Sequence, residues 1–207
     1  MNDRYCYPGT SVLINHFDIR DAAKLSKLEL THWRHNVLAL PDKLPSQLKF
    51  DLTLWQLIHK ETFGSVYPWA GELRSVMISK GNAVHAAPRM IEPYTNHLLQ
   101  ELKAAGYLKG LDREQFLLKG SYFFEELNAI HPFREGNTRT LKVFFSLLSR
   151  QAGYEIDWRK VSAQQYQQAE QASFAAGNKG PSPFYPLFKE ALEPVELSNK
   201  QSIRFKL

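Results

Sequence analysis

His131-Pro132-Phe133-Arg134-Glu135-Gly136-Asn137-Thr138-Arg139-Thr140-Leu141-Lys142 is the stretch on which the reading of this 207-residue chain turns. Before it, Phe116, Leu117, Tyr122, Phe123, Leu127 and Ile130 form a predominantly apolar helix for which Asp112 is the expected cap. After it, Leu141, Val143, Phe144, Phe145, Leu147 and Leu148 form a second, which Gly153 is expected to stop. Helices so apolar belong at the centre of a domain. The loop between them is therefore expected to be held by rigid scaffolding, as functional loops commonly are.

The loop carries a base, a carboxylate, small residues, an amide and a cation in close succession, and each suits phosphate chemistry. His131 titrates near neutrality and can take a hydroxyl proton. Glu135 offers hard oxygen to a divalent cation. Gly136, Asn137 and Thr138 turn their backbone N–H groups to the start of the next helix, where anions bind. Arg139 adds a planar fork for phosphate oxygens. A β-branched residue is badly placed at positive φ, so Thr138 points to negative φ there, with Asn137 or Thr138 capping the following helix.

These residues resemble the signature loop of the Fic family, His-x-Phe-x-(Asp/Glu)-Gly-Asn-Gly-Arg-x-x-Arg. His131, Phe133, Glu135, Gly136, Asn137 and Arg139 match it. Thr138 stands where the pattern has its second glycine, and Lys142 where it has its second arginine. Lys142 keeps the charge but loses the bidentate fork, which loosens γ-phosphate positioning. The resemblance extends through Trp69-Ala70-Gly71 to a hairpin, and in order of elements over about residues 5–193.

The resemblance implies a mainly helical, all-α Fic fold with one small β-hairpin flap beside the active-site loop. It implies a protein adenylyltransferase that moves AMP from ATP to a Tyr, Thr or Ser hydroxyl of a target protein. In this reading His131 is the base, Glu135 binds Mg²⁺, and Phe133 anchors the loop. Asn137 holds the α-phosphate beside the backbone donors of Gly136 and Thr138, Arg139 contacts the β and γ phosphates, and Lys142 completes the nucleotide site. Ser79, Lys80 and Gly81 belong to the flap that docks the target by strand pairing. The family's inhibitory Ser/Thr-x-x-x-Glu-Gly/Asn motif is not found. Ser121 and Glu125 have the spacing, but Glu126 follows and the stretch lies inside the apolar helix. The chain is thus similar to toxin-like members restrained by a separate small antitoxin that supplies the glutamate. DNA gyrase and topoisomerase IV are the first target candidates by resemblance.

Elsewhere, Tyr5, Tyr7, Pro8 and Gly9 mark an aromatic arm that packs against the domain. Asp18 is the expected cap of a helix running to Ala39, with Ile19, Ala22, Ala23, Leu25, Leu28 and Leu30 on its apolar face. His32 and His35 lack a third ligand and read as a polar face. A second helix opens near Ser46, with Leu48, Leu52, Trp55, Ile58 and Phe63 as core, and His59 reads as a packed or surface histidine. Leu73, Val76, Met77 and Ile78 suggest a strand, Ser79 to Asn82 a turn, and Ala83-Val84-His85 its return. Further helices are expected over Met90–Leu102, Ser162–Ala176 and Pro183–Leu192, followed by a polar, frayed tail from Pro194.

The bulk properties fit one domain over residues 1–207, with the tail at 194–207 outside its core. The chain is 43% hydrophobic and 23% charged, ordinary for a globular protein. A net charge of +5, spread without a dense basic block, argues against direct nucleic-acid binding. The single Cys6 suits a reducing compartment. With no leader pattern and no membrane-length apolar run, the expected location is cytoplasmic and away from the membrane. Two rival functions stay open: a Doc-like phosphotransferase using the γ-phosphate, and a catalytically weak nucleotide- or peptide-binding Fic protein.

Overall fold

A computed structural model describes residues 3–80, 83–176, 180–195 and 203–207. The helices are α1 (Ala22–Ala39), α2 (Leu52–Phe63), α3 (Pro88–Ala104), α4 (Arg113–Ile130), α5 (Asn137–Gln151), α6 (Ala163–Ala176) and α7 (Tyr185–Ala191). Two small antiparallel sheets accompany them. In one, β1 (Ser79–Lys80) pairs with β2 (Ala83–Val84). In the other, β3 (Tyr154–Ile156) pairs with β4 (Leu192–Pro194) in the register Glu155 opposite Glu193.

Local chemistry sets several helix starts. Asp21, Asp51 and Asp112 each accept a hydrogen bond from the backbone N–H three residues on, satisfying one of the free donors of the first turn. At the far end of α5, Gly153 takes φ 95°, which a residue with a Cβ resists. Between α4 and α5, the core is largely aromatic. The Phe124 ring centroid lies 5.0 Å from Phe145, 5.1 Å from Phe184, 5.2 Å from Trp158 and 5.4 Å from Phe188. Truncating such a ring costs about 3–5 kcal/mol. The loop between α4 and α5 thus springs from a densely packed aromatic core.

Several sequence expectations need correction. α1 starts at Ala22, not Asp18, whose φ of 50° lies outside the helix. Its buried stripe is Leu25, Glu29, Trp33 and Val37, and Leu30 faces solvent. α2 starts at Leu52, not near Ser46. Tyr122 is on the exposed face of α4. The flap strands are shorter than the apolar pattern suggested, and Ser79 and Lys80 are strand residues rather than turn. The β3–β4 pairing was not anticipated, because strand partners so far apart in sequence leave no local signal. The far end does not fray over residues 203–207. Trp158 N–H donates to Lys206 O at 2.8 Å, and Lys206 Nζ reaches Glu155 at 2.7 Å and Glu193 at 3.1 Å.

The N-terminal arm does pack against the domain. Tyr5 is buried, stacked edge-on to Trp69, and its hydroxyl accepts from Ser75 N at 3.1 Å. Among the described residues no helix is long and apolar enough to cross a membrane.

Candidate active site

His131 ends α4 in the left-handed region, φ 48° and ψ 69°. Such a conformation costs a side-chain-bearing residue of order 1 kcal/mol or more, so its surroundings must hold it. They do so through Arg74, which is 2% exposed. Its Nε donates to His131 O at 2.7 Å, and its terminal nitrogens donate to Ile130 O at 3.1 Å, Val76 O at 2.6 Å and Ala86 O at 2.6 Å. One guanidinium thus ties both ends of the flap to the base of the loop. Burial pulls its pKa down to about 10, still cationic at neutral pH. On the imidazole, Nδ1 meets the Asn128 carbonyl, which can only accept. Nδ1 therefore carries the proton and Nε2 the lone pair.

The next residues form a closed pincer. Asn137 Oδ1 accepts from Phe133 N, and Asn137 Nδ2 donates to Phe133 O, both at 2.8 Å. The Phe133 ring is fully buried and stacks on His59 with centroids 3.9 Å apart. His59 is itself a buried strut. Gly71 N donates to its Nδ1 at 2.8 Å, so Nε2 is protonated and donates to Glu135 O at 2.9 Å. Burial drives its pKa down to about 3, which keeps the ring neutral. Gly136 then reverses the chain at φ 78°, and a Cβ there would sit 2.5 Å from the Phe63 ring. Only glycine meets both demands.

α5 begins at Asn137, and its first intrahelical bond runs from Thr140 N to Gly136 O. The amides of Asn137, Thr138 and Arg139 precede that bond, and their partial positive charge faces a cavity of about 270 Å³. His131, Glu135, Arg139 and the flap residue Ser79 line the same cavity, with the His85 ring stacked on His131 at 3.8 Å. A base, an anion-binding helix start and a half-exposed carboxylate thus share one hollow. Glu135 Oε1 accepts from Gly136 N at 2.8 Å and lies 3.6 Å from Arg139. Among the described residues, no three His, Cys, Asp or Glu side chains converge as a metal cage. One carboxylate completed by substrate oxygens is the kind of donor set that suits a magnesium–nucleotide complex.

The structure gathers most of the residues singled out from sequence, with three differences of detail. Thr138 has ordinary helical backbone, as expected, but the cap is Gly136, and the Asn137 amide braces the loop through Phe133. Lys142 does not line the cavity. Its Nζ lies 5.2 Å from the Trp158 ring and 5.1 Å from Tyr166, and burial lowers its pKa to about 8. Arg139 is already engaged. One of its nitrogens lies 2.6 Å from Glu29 Oε1, and its guanidinium sits 4.7 Å from the Phe63 centroid. The Tyr67 hydroxyl donates to the other Glu29 oxygen, and burial together with that carboxylate raises the phenol's pKa. Gly81 lies outside the described residues.

Sequence reasoning passed over Arg74, Glu29, His85 and Glu170 as site residues, and read His59 as a packed or surface histidine. A charged residue inside the apolar run Leu73–Ile78 was the available signal for Arg74. Glu29 gave none, since a glutamate on a helix ordinarily reads as solvent-facing.

An imidazole poised over a helix start, between two central helices and under a short hairpin, makes a site suited to an anionic substrate. The Fic/DOC family model matches residues 49–149. The chain is 41% identical to the protein adenylyltransferase VbhT of Bartonella schoenbuchensis over 84% of its own length and 36% of that protein's. It is 38% identical to the probable protein adenylyltransferase y4lH of Sinorhizobium fredii, over 84% of this chain and 90% of the other. The crystal structure of BepC from Bartonella tribocorum, with bound AMPPNP, superposes with TM-score 0.83 at 25% identity, covering 93% of this chain and 97% of that one. The chain belongs to the Fic/DOC family. It spans about a third of VbhT and nearly all of y4lH.

Proposed function

We propose that this chain is a protein adenylyltransferase that transfers AMP from ATP to a hydroxyl side chain of another protein. One observation carries the reading: the lone pair on His131 Nε2, assigned by the Nδ1 contact to Asn128 O, belongs to a ring that lines the same cavity as the α5 start. In the reaction the target oxygen bonds to the α-phosphorus while its proton passes to Nε2. The bond from that phosphorus to the bridging oxygen breaks, and pyrophosphate leaves with the electron pair. Gly136, Asn137, Thr138 and Arg139 hold the phosphates, and Ser79, Lys80 and Gly81 of the flap register the target segment. Glu135 is the residue that would hold a magnesium–nucleotide complex, whose cation would offset charge on the leaving group. The relatives named as adenylyltransferases and the AMPPNP held by BepC support this reading.

His131→Ala is expected to lower transfer by about 10²–10⁴-fold while ATP binding persists. Incubation with α-labelled ATP, Mg²⁺ and bacterial lysate, beside that variant, is the measurement. Undiminished labelling by His131→Ala would remove the base assignment. A γ-phosphate transfer is the rival, favoured if only γ-labelled ATP marks the target. The toxin reading rests on the missing inhibitory motif: Ser121 and Glu125 are both buried within α4, which removes the one near match. A separate antitoxin and a type II topoisomerase target follow from the family resemblance, and a cytoplasmic site of action from the sequence pattern. Copurification with a small partner, and labelling of gyrase or topoisomerase IV subunits, test them.

A further inference from the structure

α6 brings a carboxylate to the imidazole that the reaction above does not use. Glu170 is 3% exposed, and its Oε1 lies 4.0 Å from His131 Nε2. It is part of a chain of polar contacts across the site. Asn128 Nδ2 donates to Glu170 Oε1 at 3.4 Å, and the Tyr166 hydroxyl donates to Asn128 Oδ1 at 2.7 Å. Asn128 serves this chain twice, since its carbonyl also holds His131 Nδ1.

We propose that Glu170 is a positioning residue for His131: its buried charge stabilises the imidazolium that forms when the target hydroxyl gives up its proton. A separation of 4.0 Å exceeds a hydrogen bond, so the carboxylate acts on the ring through charge. The proton moves from the target oxygen to Nε2 as the oxygen–phosphorus bond forms, and Glu170 remains a carboxylate throughout. Asn128, itself held by Tyr166, donates its amide to the carboxylate. Among the described residues, the other groups found around His131 do not supply this charge. His85 stacks on the ring face, and Arg74 meets the backbone carbonyl. Of the remaining charged groups lining the cavity, Arg134 and Arg139 are cations, and Glu135 is turned to Gly136 N and Arg139. Tyr166 faces Glu170 from α6 itself, with its pKa raised by burial and further by that carboxylate.

The role of Glu170 in transfer rests on the proposed reaction, but its coupling to His131 does not, and the experiment separates the two. The His131 imidazole is titrated by NMR in nucleotide-free protein, in the wild type and in Glu170→Gln and Glu170→Asp, with melting temperatures as a check on folding. Glutamine keeps the side-chain shape and removes the charge, and is expected to lower the His131 pKa by about one unit or more. Aspartate draws the charge back by one methylene and is expected to give part of that shift. It decides the matter if glutamine is not accepted in the fold. In transfer assays the acid limb of the rate profile should move the same way, with a roughly tenfold lower rate and unchanged KM for ATP. An unchanged His131 titration overturns the coupling. A faster Glu170→Gln enzyme overturns the assisting role and makes the carboxylate an obstacle instead. A chain that transfers no AMP while the titration shifts would dismiss the proposed reaction and leave the coupling standing.

Discussion

Replacing Arg74 by methionine keeps the stem of the side chain out to about the position of Nε and removes its five N–H donors. The two loop carbonyls it holds, His131 O and Ile130 O, are in buried bonds, whereas Val76 O and Ala86 O are in part-buried ones that water can replace. An unsatisfied buried carbonyl costs about 1–3 kcal/mol, so the loop pair alone accounts for about 2–6 kcal/mol. Against this stands the relief of no longer burying a guanidinium, a cost visible in a pKa held near 10. A net loss of about 3 kcal/mol is therefore expected, or roughly 6–12 °C in melting temperature for a domain of this size. Transfer should suffer beyond the stability loss. His131 loses the bond that fixes its left-handed carbonyl, and a shift of about 1 Å in a catalytic group costs on the order of 10²-fold. Lysine has no planar fork and reaches fewer carbonyls, so Arg74→Lys should fall between. Thermal unfolding with parallel radiolabel transfer is the assay. A methionine variant melting within about 2 °C of wild type and transferring at full rate would refute the clamp.

The remaining predictions concern pH. His59 has its folded pKa depressed from 6.5 to about 3, so the unfolded chain binds the extra proton first. Its contribution is complete above pH 6.5 and is lost as pH falls below that, at about 1.4 kcal/mol per unit, or about 2 kcal/mol by pH 5. The melting temperature should drop from pH 7 to pH 5 in wild type and less in His59→Gln; equal slopes would contradict it. Lys142, with a pKa near 8, should lose its charge in mildly alkaline solution. Because burial disfavours the charged form, stability is expected to rise with pH above 8 in wild type and less so in Lys142→Met, read as melting temperature. Equal slopes in the two proteins would show that Lys142 has no part in it.

Burial explains what the residues announce by themselves. α2, α4 and α5 face the core on much of their surface, so their apolar spacing and the caps at Asp112 and Gly153 announced them. The loop was legible because its chemistry is concentrated in consecutive residues. α1 was misread for the opposite reason. Its inward stripe includes Glu29, which is buried because Arg139 and Tyr67 meet it there, and neither is near it in sequence. The flap misled in a similar way. Leu73 and Val76 pack against the core without strand pairing, and Arg74 between them turns inward to carbonyls contributed by the loop and the flap.

The order of residues alone determined that a base, a carboxylate and a helix start would stand together, because one short turn carries all three. It also determined which helices flank them, since hydrophobic spacing records the side that leaves water. Only the tertiary structure decided how that turn is braced and charged. Arg74, His59, Glu29 and Glu170 come from four separate segments, and what each does depends on a partner between 42 and 110 residues away for Glu170 with Asn128, Arg74 with His131, His59 with Glu135 and Glu29 with Arg139. Such pairings are made by chain folding at a distance, and no local pattern of residues encodes them.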